Sequence, residues 1–494
     1  MTRMIKFGMD SCLEPAHRLL AQLRERRLSA VDLLERHRAR LERLNPAINA
    51  VIATNFDAAR ARAAQADAAS ERGESWGPLH GLPMTIKDTI EVAGMATVCG
   101  APALRNHRPA ASAPAVQRLV DAGAIIFGKT NVPPFAGDVQ TFNSVFGTTR
   151  NPWNPEHTPG GSSGGAAAAL AAGLTPLELG SDLAGSIRTP AHFCGIYGHK
   201  PSHGLVPSRG HIPGPPGTIA EADLAVIGPM ARSAEDLALA LRVAAGPLAP
   251  AATGWRVELP PPRRTALSDY RVLAWLDDPA CEVDAGVRSV LEQAVDKLRA
   301  AGVKVSTEKP PFALAELHEL YFTLLCALVG VGLPDRMYRR ARAVGRIAAM
   351  FGRDRVDTMA GFLRGVSLSH RDWLIADEQR ERVRLQFEQL FTSHDLLLMP
   401  VNRIAAPKHN QQRSPYSRTI RVNGREVPYA TQFTWIGPAT VAGLPATSAP
   451  VGFTADGLPV GLQIVGAHLH DLATIDFARL MAPVTGGFRA PPNV

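Results

Sequence analysis

Apolar positions recur along the chain with two periods, and segments of each kind alternate. From about Pro15 to Asn45 the spacing is helical: Leu19, Leu20 and Leu23 form one stripe, and Val31, Leu33, Leu34 and Leu41 another. Ser29 stands between them, where its hydroxyl can cap the second helix. FDAARARAAQADAA from Phe56 predicts a third helix, Met84 to Ile90 a strand-like run, AVQRLVDAG a short amphipathic helix and AIIFGKT a buried strand. A helix is expected from about Gly164 to Ala172, stopped by Gly173. SAEDLALALRVAA reads as a helix capped by Ser233, and RVLAWL and VKVSTE as strands flanking the helix SVLEQAVDKLRAAG. From about Phe312 to Phe391 the pattern is mainly helical, with Leu320 to Leu333 as a buried helix. DLLLMPV, GLPATSAPVGF and LPVGLQIVG predict late strands, the last two closing the sheet.

Alternating strands and helices predict the α/β class. There is no internal repeat and no long linker, so residues 1–494 are expected to form a single domain. Its parts are N-terminal helices over about 10–70, a core over about 79–235, a mainly helical segment over about 312–391 and a closing segment over about 430–480.

Composition then narrows the partners. The chain is 46% apolar and 20% charged, which is ordinary for a globular protein, with a net charge of +8. Its densest basic stretch, Arg336 to Arg346, reads as a solvated helix face, and no nucleic-acid partner is expected. Five cysteines, Cys12, Cys99, Cys194, Cys281 and Cys326, make no CxxC pair. That predicts reduced thiols in a cytoplasmic protein and neither a disulfide frame nor a zinc site. The first residues lack the apolar run of a signal peptide, and no run is long enough to span a bilayer.

Two motifs invite a false start. Gly123 to Thr130, GAIIFGKT, spells a P-loop. AIIF is strand-like, however, and the prolines of NVPPF oppose the helix a P-loop needs after Lys129, so the segment reads as a strand end. Gly161 to Gly165, GSSGG, matches the G-x-S-x-G elbow of an α/β-hydrolase with Ser163 as nucleophile and His468 or His470 as a late base. The turn formers before it stand where that elbow needs a strand.

A third constellation joins Lys87, Ser162 and Ser186. A serine hydroxyl needs a base to become a nucleophile, and a neutral lysine can serve. Bringing a lysine to about 7.5 takes roughly 4 kcal/mol of differential environment, which burial can supply. Taken singly, Lys87 also reads as a surface lysine or an ion pair. Ser162 at a helix N-terminus also reads as an N-cap, and Ser186 after DLAG as a tight turn.

The ordered set GLPMTIKDT, GAIIFGKTNVPPFA, FGTTRNPWNPEHTPGGSSGG, GSDLAGSIRTPAHFCGIYGHKPS, AGLPATSAP and GLPVGLQIVG resembles the amidase signature family. Ser162 follows Lys87 by 75 residues and Ser186 follows Ser162 by 24, in keeping with that family. The resemblance implies a mixed β-sheet core sandwiched between helices and an amidohydrolase that forms an acyl-enzyme without metal or organic cofactor. Ser186 would be the nucleophile, Ser162 the bridging serine in a cis peptide, and Lys87 the base. The backbone N–H groups of Leu183, Ala184, Gly185 and Ser186 would form the oxyanion hole. Ser163 would assist near Lys87, and Asp182 with Arg188 would be a supporting pair or a purely structural salt bridge. Ala184 departs from the family, which usually has glycine there, and so puts the acyl preference in question.

The substrates implied are a small-molecule amide and water, with esters, anilides and carbamates accessible through the same intermediate. The family also contains amidotransferase subunits that act with partner proteins on tRNA. The Pro- and Gly-rich loop Gly204 to Gly217 is a candidate substrate-binding segment or an ordinary surface connection. Homo-oligomerisation stays open.

Overall fold

The computed structural model describes residues 9–212, 217–351, 358–412, 414–492 and 494. The N-terminal helices are α1 (Ala16–Arg24), α2 (Ala30–Ile48) and α3 (Phe56–Glu71), with strand β1 (Val51–Thr54) between the last two. Ser29 caps α2 by accepting the Asp32 amide at 2.9 Å. The helix runs three residues beyond the expected end, through Pro46. The Asn45 side chain accepts the amides of Ala50 and Val51, both at 2.9 Å, and so ties the helix end to β1.

The central elements follow: β2 (Pro83–Lys87), α4 (Pro114–Asp121), β3 (Ile125–Thr130), α5 (Gly164–Ala171), β4 (Leu177–Asp182), α6 (Arg188–Cys194), β5 (Tyr197–Lys200), β6 (Val226–Ala231) and α7 (Ala234–Ala244). After these come β7 (Arg271–Ala274), α8 (Ala285–Ala300) and β8 (Lys304–Ser306). Four helices are next, α9 (Leu314–Gly330), α10 (Asp335–Phe351), α11 (Met359–Val366) and α12 (His370–Ser393). The chain ends with β9 (Leu396–Pro400), α13 (Gly437–Val441), β10 (Ala446–Phe453), β11 (Pro459–Val465) and α14 (Asp471–Thr485). Lys129 lies within β3 with no helix directly after it, so GAIIFGKT is a strand rather than a phosphate loop.

These eleven strands form one mixed sheet in the order β1-β3-β2-β4-β6-β5-β10-β11-β9-β7-β8. The expectation that the last two strands close the sheet is corrected here. β10 and β11 lie in its interior, with β10 antiparallel to β5 and β11 antiparallel to β9. They join the half built from residues 51–231 to the half built from β7, β8 and β9.

Alternation on β11 shows how helices cover both faces. Val460, Leu462 and Ile464 enter the large core that contains α7, α8 and α14. Gly461 and Gln463 meet α6 on the other face, where His192 would lie 3.2 Å from a Cβ on Gly461. β2 and β4 are buried along their whole length, as strands covered on both faces must be.

The alanine run after the serines is buried all round. Ala166, Ala167 and Ala171 pack toward α6, while Ala168, Ala169 and Ala172 pack toward α2 and β1. A helix enclosed in this way has no polar face, and small side chains let the neighbouring backbones approach. The Arg-rich stretch lies on α10, where Arg336, Arg339, Arg340 and Arg342 are exposed, as a solvated face requires. No helix among the described residues is long and apolar enough to cross a membrane. The five cysteines are buried.

Candidate active site

Lys87 is the last residue of β2, and Ser181 and Asp182 end the neighbouring parallel strand β4. The lysine is fully buried, and its Nζ lies 2.7 Å from Ser162 Oγ, 2.9 Å from Ser181 Oγ and 3.3 Å from the Ser181 carbonyl. Burial pulls its pKa down to about 7, and the opposing pull of Cys99, Asp182 and Glu178 does not cancel it. The amine is therefore substantially neutral near pH 7.

The Gly161–Ser162 peptide is cis. The residue at the N-cap of α5 is Ser163 rather than Ser162, which corrects the reading of Ser162 as an N-cap: its hydroxyl is turned to Lys87 instead. Glycine at 161 and 165 follows from close backbone approach. A Cβ on Gly161 would lie 2.5 Å from the Asp138 carbonyl, and one on Gly165 would lie 2.3 Å from the Asn131 nitrogen.

Ser186 is held beside this loop through the backbone, since the Ser163 amide donates to the Ser186 carbonyl at 3.1 Å. Ser163 Oγ donates to the Ser181 carbonyl at 3.3 Å, the same oxygen that Lys87 contacts. No histidine among the described residues bonds Ser163. His468 contacts the Gly443 carbonyl and His470 precedes α14, so the hydrolase reading on Ser163 loses its base.

The turn from Leu183 to Ser186 wraps over the carboxylate of Asp182. That carboxylate accepts the amides of Gly185 at 3.0 Å, Ile187 at 3.1 Å and Arg188 at 3.3 Å, and pairs with the Arg188 guanidinium at 2.9 Å. Burial alone would raise the Asp182 pKa, but Arg188 beside it outweighs this and the carboxyl falls to about 2. Arg188 also donates to the Ile436 carbonyl, to Gln463 and to Thr440, tying the turn to α13 and β11.

One member of the expected oxyanion set is corrected by this arrangement. The Gly185 amide is taken by Asp182, whereas those of Leu183, Ala184 and Ser186 have no acceptor among the described residues. Gly185 carries the positive φ of the turn, +84°. Ala184 does not, so its methyl imposes no left-handed strain.

Three neighbours were not singled out from the sequence. Ser181 is one, and the half-buried His211 is another, with Nε2 2.7 Å from Ser181 Oγ. The third is Tyr321 on α9, whose hydroxyl donates to the Leu183 carbonyl at 3.0 Å. Leu183 and Ala184 pack against the cluster that contains Tyr321, Phe322 and Leu325. The loop Gly204 to Gly217 reaches the site through His211, and its residues 213–216 lie outside the described residues. No group of three His, Cys, Asp or Glu residues among the described residues could hold a metal ion.

The family model described as Amidase matches residues 32–475. This chain belongs to the amidase signature family. One relative of this amidase-family chain is a glutamyl-tRNA(Gln) amidotransferase subunit of Geobacillus thermodenitrificans, 33% identical over 98% of this chain and 99% of that protein. A solved chain from an inhibitor-bound vestigial protein complex, tied to the origins of an s-triazine catabolic enzyme, superposes with a TM-score of 0.80 at 28% identity, covering 97% of this chain and 100% of that one. A 6-aminohexanoate cyclic dimer hydrolase complexed with substrate gives a TM-score of 0.76 at 27% identity, covering 97% and 99%.

Proposed function

We propose that this chain hydrolyses carboxylic amides through an acyl-enzyme on Ser186. Neutral Lys87 takes the proton of Ser162, Ser162 takes that of Ser186, and Ser186 Oγ attacks the carbonyl carbon. The amides of Leu183, Ala184 and Ser186 stabilise the oxyanion. The relay then runs backwards, the proton passes to the leaving amine, and water releases the acid. The observation that carries this reading is the buried amine 2.7 Å from Ser162 Oγ, its pKa pulled down by burial to about 7.

Leu183 and Ala184, whose amides would hold the oxyanion, pack on the apolar α9 cluster, which supports an apolar surface beside the acyl group. That favours substrates with an apolar acyl group, whether amide, anilide, carbamate or ester. The protein purified alone should hydrolyse members of such a panel, and Ser186→Ala should abolish turnover and labelling by a fluorophosphonate probe. Turnover that persists in Ser186→Ala would overturn the assignment.

A second reading is favoured by the 33% identity to an amidotransferase subunit over almost the full length of both chains. In it, the same relay releases ammonia from an amide donor for partner proteins acting on tRNA. Glutamine hydrolysis that appears only with such partners, and no activity of the isolated chain, would decide for it.

A further inference from the structure

Lys87 meets three oxygens, and a neutral amine has two hydrogens and one lone pair with which to meet them. The Ser181 carbonyl can only accept, so it takes one hydrogen. One hydrogen and the lone pair remain for two hydroxyls, Ser162 Oγ at 2.7 Å and Ser181 Oγ at 2.9 Å. For Lys87 to receive a proton from Ser162, the lone pair must face Ser162. Nothing on the amine itself decides between the two hydroxyls.

The group that decides is the imidazole beyond Ser181, 2.7 Å from its Oγ. We propose that His211 is a positioning residue: by accepting the Ser181 hydroxyl proton on Nε2, it makes Ser181 Oγ an acceptor toward Lys87 and leaves the amine's lone pair to Ser162. This rests on the amidohydrolase reading above.

Backbone pairing fixes the imidazole in place. His211 forms an antiparallel bridge with Ile90, the Ile212 amide donates to the Thr89 carbonyl at 2.7 Å, and the Glu91 amide donates to the Gly210 carbonyl at 2.9 Å. The ring is thus tied to the segment that directly follows Lys87. Burial first, and then the charge of Lys87, hold its pKa down at about 3, so the ring is neutral across the range in which Lys87 titrates. The other charged groups nearby are engaged elsewhere. Glu91 pairs with His107, Glu221 accepts the Ser208 amide and Arg209 donates to the Ile219 carbonyl. Cys99, Glu178 and Asp182 act on Lys87.

The test is the rate of Ser186 labelling by a fluorophosphonate, followed from acid to alkaline pH. His211→Phe should label about tenfold more slowly, the size of one well-made hydrogen bond. Its acid limb should also move to lower pH, because an unanchored Ser181 donates to the amine and favours the neutral form. His211→Gln, which keeps an acceptor near Nε2, should restore both. Combining His211→Phe with Ser181→Ala should add nothing to Ser181→Ala alone.

A wild-type rate and limb in His211→Phe, equal damage in Gln and Phe, or additive losses in the double variant would each overturn the inference. The Gln and double-variant comparisons carry the test if His211→Phe folds poorly. A wild-type protein that is not labelled at all overturns the acyl-enzyme reading itself, and this inference with it.

Discussion

From Thr158 to Ser202 every residue is buried except two, Leu183 and Ala184. The helical stretch from Leu314 to Ser393 is mixed: α9 buries Leu317, Tyr321 and Leu325, yet Val331 is 78% exposed, Leu385 63% and Met337 58%. The first stretch carries the serines and the turn over Asp182, and the second lies outside the sheet. In the first stretch the backbone is enclosed by other backbone, so a change of even one methyl group meets something. The second meets solvent along part of its surface, and a change at those positions finds open space. The two residues that interrupt the enclosure stand two and three positions before Ser186. They are also where the helical stretch makes contact, through Tyr321 and the cluster around it. On the proposed mechanism the reacting serines sit in the enclosed stretch, and the acyl preference would fall to the elements around Leu183 and Ala184.

The most severe way to break this contrast is Lys87→Met. Loss of the base should lower activity on the order of 10³-fold. The same change should raise stability. The folded pKa of about 7 lies below the ordinary 10.5, so between those values the unfolded chain binds the extra proton and stability climbs with pH. Below pH 7 the full penalty of burying this group applies, about 5 kcal/mol by that shift. Losing the hydrogen bonds to Ser162 and Ser181 offsets part of the gain, leaving about 2 kcal/mol near pH 7. Urea unfolding at pH 7 and pH 9.5 measures it: the advantage of the variant should be larger at pH 7. Lys200, also depressed to about 7 by burial, contributes the same slope to both proteins and cancels in the difference. A variant less stable than wild type at both pH values would refute the buried, neutral amine.

A second change probes the enclosure without touching a reacting group. Gly165→Ala places a Cβ 2.3 Å from the Asn131 nitrogen and 2.5 Å from its oxygen, both backbone atoms that cannot step aside. Such overpacking should cost about 3 kcal/mol in denaturant unfolding. An alanine at Gly332, between α9 and α10, finds only one atom within 4 Å, at 3.7 Å, and should be silent. Equal effects at the two positions would erase the distinction between the stretches.

That enclosure also explains what the sequence could convey and what it hid. The helices α1 and α2 were legible because each has one apolar stripe and a water-facing side, and Ser29 marked the start of α2. Strand β4 was not, because burial on both faces leaves no alternation to say that Ser181 points toward Lys87. The orientation of Lys87 was ambiguous for the same reason on β2. Its contact with Ser162 spans 75 residues, a separation on which local periodicity is silent. Only the resemblance of the ordered motifs brought Lys87, Ser162 and Ser186 together. His211 stood within a loop already suspected, but what it touches depends on a bridge to Ile90 that the Pro- and Gly-rich pattern does not encode. The interior place of β10 and β11 was hidden because strand order depends on partners far along the chain.

The smallest expected effect asks whether the boundary between the two stretches is as sharp as burial suggests. Tyr321 belongs to the variable helical stretch, yet its hydroxyl holds the Leu183 carbonyl at 3.0 Å. That carbonyl shares a planar peptide group with the Ala184 amide, one of the donors left open for an oxyanion. Pinning the oxygen therefore aims the N–H. Tyr321→Phe removes the pin while leaving the ring against Gly437, so packing is kept. Loss of one such hydrogen bond is worth about 1 kcal/mol, or roughly fivefold in rate. An oxyanion donor acts only on the transition state, so the loss should fall on kcat with KM unchanged. If KM rises instead while kcat holds, α9 serves substrate binding alone, and the helical stretch has no hand in the chemistry.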